Sequence, residues 1–133
     1  MQEFAADIHS VSASEKQIDE GQHMIENTID KIEAKVRGEA HLSAKKKSEL
    51  LRLLSSLKSE IANLSKTHAE HAESIAGFIE RSAHEAVRQE KNPALLKLAV
   101  DGLAASAKGF ELSHPQLVED VNYICTVLAN MGI

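Results

Sequence analysis

Histidine and cysteine are the side chains of this 133-residue sequence best suited to chemistry, with seven of the first and one of the second. His68 and His71 lie one helical turn apart, with Glu70 and Glu73 beside them. On a helix this spacing puts both imidazoles on one face. Two such pairs, one from each of two chains, would supply the four ligands of a tetrahedral metal site. The plainer reading is a polar layer that sets register in an aliphatic stripe, or the open end of the stretch another helix covers. Glu20-x-x-His23 and Glu111-x-x-His114 match the element that di-iron carboxylate bundles use. The second copy lies across a helix break at Pro115, and the inward glutamates that chemistry needs from two further helices are not evident in the aliphatic stripes. Lys45-Lys46-Lys47 is a cluster of the kind that meets phosphate or an anionic surface. As a solvated face, it would find acidic partners in the first helix.

The sequence holds no glycine-rich phosphate loop, no Gly-x-Ser-x-Gly, no Cys-x-x-Cys and no His-Glu-x-x-His. A lone Cys125 cannot close an internal disulfide. It falls in an apolar stripe, so a buried, reduced thiol is expected rather than a nucleophile. No catalytic residues are assigned, and neither an enzyme nor a cofactor is expected. Net charge is −5, whereas affinity for nucleic acid comes mostly from neutralising phosphates, so no nucleic-acid partner is expected. The first residues carry acids where a leader would be basic, and the longest weakly polar run, Val121 to Ile133, is too short to span a bilayer. The expected location is the cytoplasm.

The elements that must position these residues are helices. Hydrophobic residues make up 43% of the chain but aromatics only 3%, a composition suited to slim aliphatic helices rather than to a sandwich. Residues 1–13 are weakly patterned and read as a flexible end or a short helix. The rest reads as a single helical domain, 14–133, with helices over about 14–37, 44–91, 93–112 and 115–131. Ser14 to Gln17 has the form of a capping box. Ile18, Ile25, Ile29, Ile32 and Val36 share a face, and Gly38 is placed for a left-handed cap. From Ser43, a candidate N-cap, Leu50, Leu54, Leu57, Ile61, Leu64, His68, His71, Ile75 and Phe78 advance by alternating fours and threes. That is a heptad seam. It predicts one central helix over 44–91, about 70 Å long, in preference to a break with a second capping box at Thr67. Asn92-Pro93 restarts the chain as cap and first helical residue. Leu96, Val100, Leu103, Ala107 and Phe110 follow, with Gly102 and Gly109 marking close approach. Leu117, Val121, Ile124, Leu128 and Met131 form the last stripe, which Gly132 and Ile133 would close by folding back.

The C-terminal quarter carries a further pattern: Phe110-Glu111, His114-Pro115, Leu117, Val121, Ile124, Leu128 and Met131-Gly132-Ile133. It resembles a family of small bacterial helical proteins classed as a domain of unknown function. The resemblance implies a helical fold and a bacterial source, and no activity, cofactor or catalytic residue.

Short links make neighbouring helices antiparallel. Residues 1–33 carry a surplus of acids and residues 44–66 a surplus of bases, which pairs the first helix with the front of the second. The expected architecture is all-α: elongated antiparallel hairpins with heptad-like seams and few helices in any cross-section. So thin a bundle leaves a seam uncovered. Leu50, Leu54, Leu57, Ile61, Leu64, Ile75 and Phe78 are therefore expected to meet a second copy. The favoured function is a structural or protein-interaction module that forms a homo-oligomer and docks onto another protein, with Met131 and Ile133 as candidate docking residues. The alternative is a small-ligand or metal-binding bundle using His68 and His71.

Overall fold

The computed structural model describes residues 24–131. They form five helices: α1 over 24–37, α2 Ala44–Ser65, α3 Ala69–Val87, α4 Pro93–Ala107 and α5 Pro115–Met131. The Ser14 capping box, Ile18, Gly132 and Ile133 lie outside the described residues.

The expected start signals act where the sequence puts them. The Ser43 hydroxyl accepts from the Lys46 N–H at 3.2 Å, and the Asn92 side chain accepts from the Leu95 N–H at 3.1 Å, with Pro93 at the first helical position. Each satisfies one of the N–H groups that a first turn leaves unpaired. The stop signals differ. Gly38 does not take the left-handed conformation: its N–H reaches the Ala34 carbonyl at 3.0 Å, and the chain leaves through a three-residue turn from the Glu39 N–H to the Val36 carbonyl at 3.3 Å. Among the described residues only Gly109 has positive φ, at 102°. That turn ends α4 at Ala107, short of residue 112, and takes Phe110 out of the helical stripe.

The largest correction concerns the central helix. The chain does not run unbroken over 44–91: it breaks at Lys66, Thr67 and His68. The Leu64 carbonyl there accepts from three donors, the N–H groups of Thr67 and His68 and the Thr67 hydroxyl. The Ser65 hydroxyl takes the Ala62 carbonyl. Hydroxyls bonding back onto the last turn compete with helical propagation, and Ser, Thr and His all have modest helix propensity. The break falls where the alternative to one helix puts it, at Thr67, but the second capping box that went with that alternative does not form. His68 is the N-cap of α3 and makes no side-chain capping bond.

Folding back at this point changes the architecture. α2 packs against α3 and α5, α3 against α4, and α4 against α5. The four helices close a ring around one core, and α1 lies against α2 and α3. Ile25, Ile29, Ile32 and Val36 of α1 join that core. An Asp30–Lys58 ion pair at 2.7 Å realises the expected charge complementarity between α1 and α2. The contact is half-exposed and contributes little. The seam residues Leu50, Leu54, Leu57, Ile61, Leu64 and Ile75 are no more than 1% exposed within a single chain. Their own chain covers them, because the back half of the seam folds onto the front half.

Candidate functional site

The break at 66–68 and the link between α4 and α5 meet at one end of the bundle, and most of the candidate chemistry gathers there. Phe110 is the common neighbour of three imidazoles. Its ring centroid lies 5.4 Å from that of His68, 5.5 Å from His71 and 6.0 Å from His114, with every pair edge-on. Edge-to-face packing matches the positive edge of one ring to the negative face of another. The cluster thus ties two links together. His68 and His71 are exposed and His114 is half-buried. The two seam histidines therefore form no packed polar layer: the helix break carries them to the rim.

The same geometry bears on metal binding. The His68 and His71 rings are 6.0 Å apart and tilted. The nearest third imidazole stands across the phenyl ring, and Thr67 engages the Nδ1 of His68 at 2.8 Å. Among the described residues, no three His, Cys, Asp or Glu side chains are grouped to hold a metal ion. Glu111 accepts from the Gly109 N–H at 2.8 Å, which fixes the left-handed turn. Glu20 and His23 lie outside the described residues.

The other sequence candidates fall elsewhere. Lys47 caps the Arg37 carbonyl at 3.1 Å. Cys125 is buried, with its thiol 3.6 Å from the Val100 carbonyl. Burial, assisted by the nearby Asp101 charge, pushes this thiol up to about 11. It is protonated at neutral pH and a poor nucleophile. Asp120 of α5, not among the candidates the sequence offers, is buried at 7% exposure on the side facing α2. It accepts from the Ser56 hydroxyl and from the Gln116 amide at 2.9 Å. Its place one helical turn after Gln116, between apolar Leu117 and Val121, was the available signal.

A different surface emerges on the α3–α4 hairpin. α4 turns Leu96, Ala99, Leu103 and Ala107 into the core, yet Leu95 and Leu98 are 41% and 68% exposed. At about 100° per residue, Leu95, Leu98 and Gly102 fall within roughly a quarter turn of one another on the outer side. Phe78 of α3, taken from sequence as a seam residue, lies here instead. It is 38% exposed, with its ring seated over Gly102 where a Cβ would come within 2.8 Å of Cδ1. Gly102 therefore does mark a close approach, and what approaches is Phe78. The result is an apolar strip on the outside of the bundle made by Phe78, Leu95 and Leu98. Arg81 on α3 and the Lys97–Asp101 pair, 2.7 Å apart on α4, are exposed on the same hairpin. Met131, a candidate docking residue, is half-buried against the core at the opposite end of the bundle.

Residues 47–133 match the family described as Domain of unknown function (DUF4404). The match reaches well upstream of the C-terminal quarter and takes in nearly all of the four-helix ring. No curated protein matches, and no solved structure matches. Among the described residues, no helix is long and apolar enough to cross a membrane.

Proposed function

We propose that this chain, which belongs to the DUF4404 family of unknown function, is a non-enzymatic helical interaction module that associates with itself through the outer α3–α4 face. One observation carries the reading: α4 is apolar on two sides, and the bundle covers only one of them. A helix at the surface of a finished domain presents a polar outer face, whereas α4 sets exposed Leu95 and Leu98 beside its Lys97–Asp101 pair. The seam that first suggested oligomerisation is closed within the chain. Leu95, Leu98 and Phe78 take over its role.

A two-fold contact brings the same patch of each copy together, so each exposed side chain counts twice. The strip is small beside the roughly 1,000 Å² that a stable interface buries. The polar side chains around it complete a rim of the usual kind, and the expected affinity is of micromolar order. A cytoplasmic setting in a bacterial cell belongs to the same reading. The buried, unpaired Cys125 is consistent with reducing surroundings.

The test is light scattering after size exclusion over a concentration series, on the native chain and on Leu98→Glu. The native chain should pass from monomer to dimer or larger across the micromolar range. Leu98 is two-thirds exposed, so the variant should keep its helicity and melting behaviour yet remain monomeric. A native chain that stays monomeric at about 0.5 mM, well above the micromolar order expected, refutes the reading. So does a variant that associates as well as the native chain.

A further inference from the structure

The end of the bundle opposite the histidines holds a broad cleft. The α1–α2 link, the α3–α4 link and the last turn of α5 enclose a cleft of about 630 Å³. This lies in the range that takes small organic ligands, about 300–1,000 Å³. Its apolar wall is made by half-buried Leu42, Val87 and Met131 and by fully buried Ala86. Its cationic side is made by Lys46, Arg88 and Lys91. Among the described residues Glu39 is the only carboxylate in the lining, and its Oε1 accepts from the His41 backbone N–H at 3.3 Å.

The three cations are not equivalent. Arg88 is held by the buried carboxylate of Glu85 at 2.7 Å. The Lys91 ammonium rests on the Ala86 carbonyl at the end of α3. Lys46 makes no ion pair or side-chain hydrogen bond among the described residues. Lysine carries its charge on a flexible four-carbon stem, so Lys46 and Lys91 are both able to turn toward a ligand while Arg88 stays fixed.

We propose that this cleft binds an amphiphilic anion: a medium-length hydrocarbon chain that ends in a carboxylate. The chain would lie on Leu42, Val87 and Met131, and the carboxylate would meet Lys46 and Lys91. An apolar wall beside a cationic rim with one engaged acid is complementary to that class and to neither of its halves alone. A simple anion gains nothing from the wall. A neutral hydrocarbon leaves the lysines where water already serves them.

The probe is decanoate, below its micelle concentration, titrated into the full chain with amide NMR shifts and calorimetry. Saturable binding is expected, with shifts confined to residues around 39–46, 86–91 and 130–131. Each methylene removed from the probe should weaken binding about fourfold. Decanol should bind more weakly than decanoate. Lys46→Gln together with Lys91→Gln should cost about fivefold toward decanoate and little toward decanol. Lys58→Gln, on the side of the bundle, should change neither. The proposal is overturned by non-saturating shifts, by equal binding of decanol and decanoate, or by lysine variants that bind as the native chain does. It is also overturned if the protein binds only decanoate held in vesicles. Binding that appears only after deletion of Gly132 and Ile133 would assign the cleft to the chain's own end and likewise overturn it.

Discussion

Two glycines in the α3–α4 hairpin should respond differently to alanine, one gaining stability and the other not, and the difference measures how Phe78 is seated. A glycine inside a helix costs roughly 0.5–1 kcal/mol relative to alanine, because it loses more backbone freedom on folding. At Gly77 a Cβ would meet nothing within 4 Å. Gly77→Ala should therefore recover that amount and raise the melting midpoint by about 3 °C for a domain of this size. At Gly102 the same gain is opposed. A Cβ there would lie 2.8 Å from Phe78 Cδ1 and 3.0 Å from Cζ, with Cε1 nearer still. The ring is 38% exposed, so it is free to swing out rather than force α3 and α4 apart. What it gives up is the burial of about three-fifths of a phenylalanine. At ~1.5–3 kcal/mol for a fully buried large apolar side chain, the loss is about 1–2 kcal/mol. Gly102→Ala should then be neutral to destabilising by up to ~1.5 kcal/mol. In a Phe78→Ala background the obstacle is gone, and the same substitution should stabilise by about as much as Gly77→Ala does. Urea unfolding of the four proteins of the cycle, at concentrations below self-association and with equal slopes, gives the coupling directly. A coupling near zero would mean that Phe78 does not rest on Gly102, and the apolar strip would have to be redrawn.

Two further outcomes follow from buried polar groups. The Cys125 thiol is raised from 9.0 to about 11 by burial, so the unfolded chain loses its proton first as the pH climbs. Stability is full below pH ~9 and declines between about 9 and 11, by at most ~2–3 kcal/mol. Alkaline urea melts of Cys125→Ala set against the native chain should lack that decline; matching pH profiles would show that the thiol is solvated. Asp120 joins α5 to α2 through Ser56 and is braced by Gln116, and Asp120→Ala should cost about 1–2 kcal/mol by leaving the half-buried Ser56 hydroxyl without its acceptor. Asp120→Asn, which keeps an acceptor, should cost clearly less, and equal losses from the two variants would refute the network.

The sequence was most legible where local chemistry decides the outcome. The Ser43 and Asn92-Pro93 starts depend on side chains two or three residues from the groups they satisfy, and both appear as read. The aliphatic positions from Ile25 to Leu128 were also legible, since heptad spacing marks burial whatever covers it. What spacing does not carry is the identity of the cover. A seam in unbroken register looks the same whether it runs straight beside a second chain or folds back on itself, so Leu50 to Ile75 were assigned to an interface and are instead an interior. Leu95 and Leu98 are not marked in the sequence for a related reason. The stripe through Leu96 and Leu103 already accounted for α4, and a second apolar side gains meaning only once the first is seen to be filled. The histidine cluster was half legible: His68 and His71 stood out, but their neighbours Phe110 and His114 come from a link some forty residues away.

The ambiguity of the seam is itself a physical property of the chain, and it yields a last prediction. Leu64, His68, His71 and Ile75 keep heptad phase across the break, so a straightened α2–α3 helix would still present one continuous apolar face. Two straightened chains could exchange their α3–α5 halves and rebuild every core contact, each in the other's bundle. Such a swapped dimer differs from two monomers mainly at residues 65–68. There the monomer keeps three donors on the Leu64 carbonyl and leaves the His68 cap without a side-chain bond. Replacing Ser65, Thr67 and His68 with alanine removes the competing hydroxyls and gains about 1–2 kcal/mol of helix propensity per chain. That bias should raise the swapped population by about tenfold or more at a fixed concentration. The exchanged dimer would contain a helix about 65 Å long, which small-angle scattering distinguishes from two bundles docked side by side. It would also separate slowly on dilution, because exchange requires opening the bundle, and it would persist when Leu98→Glu is added. A triple variant that remains a compact monomer would show that the turn is imposed by the packing of α3 and α4 and not by residues 65–68. The local account of the break would then be wrong.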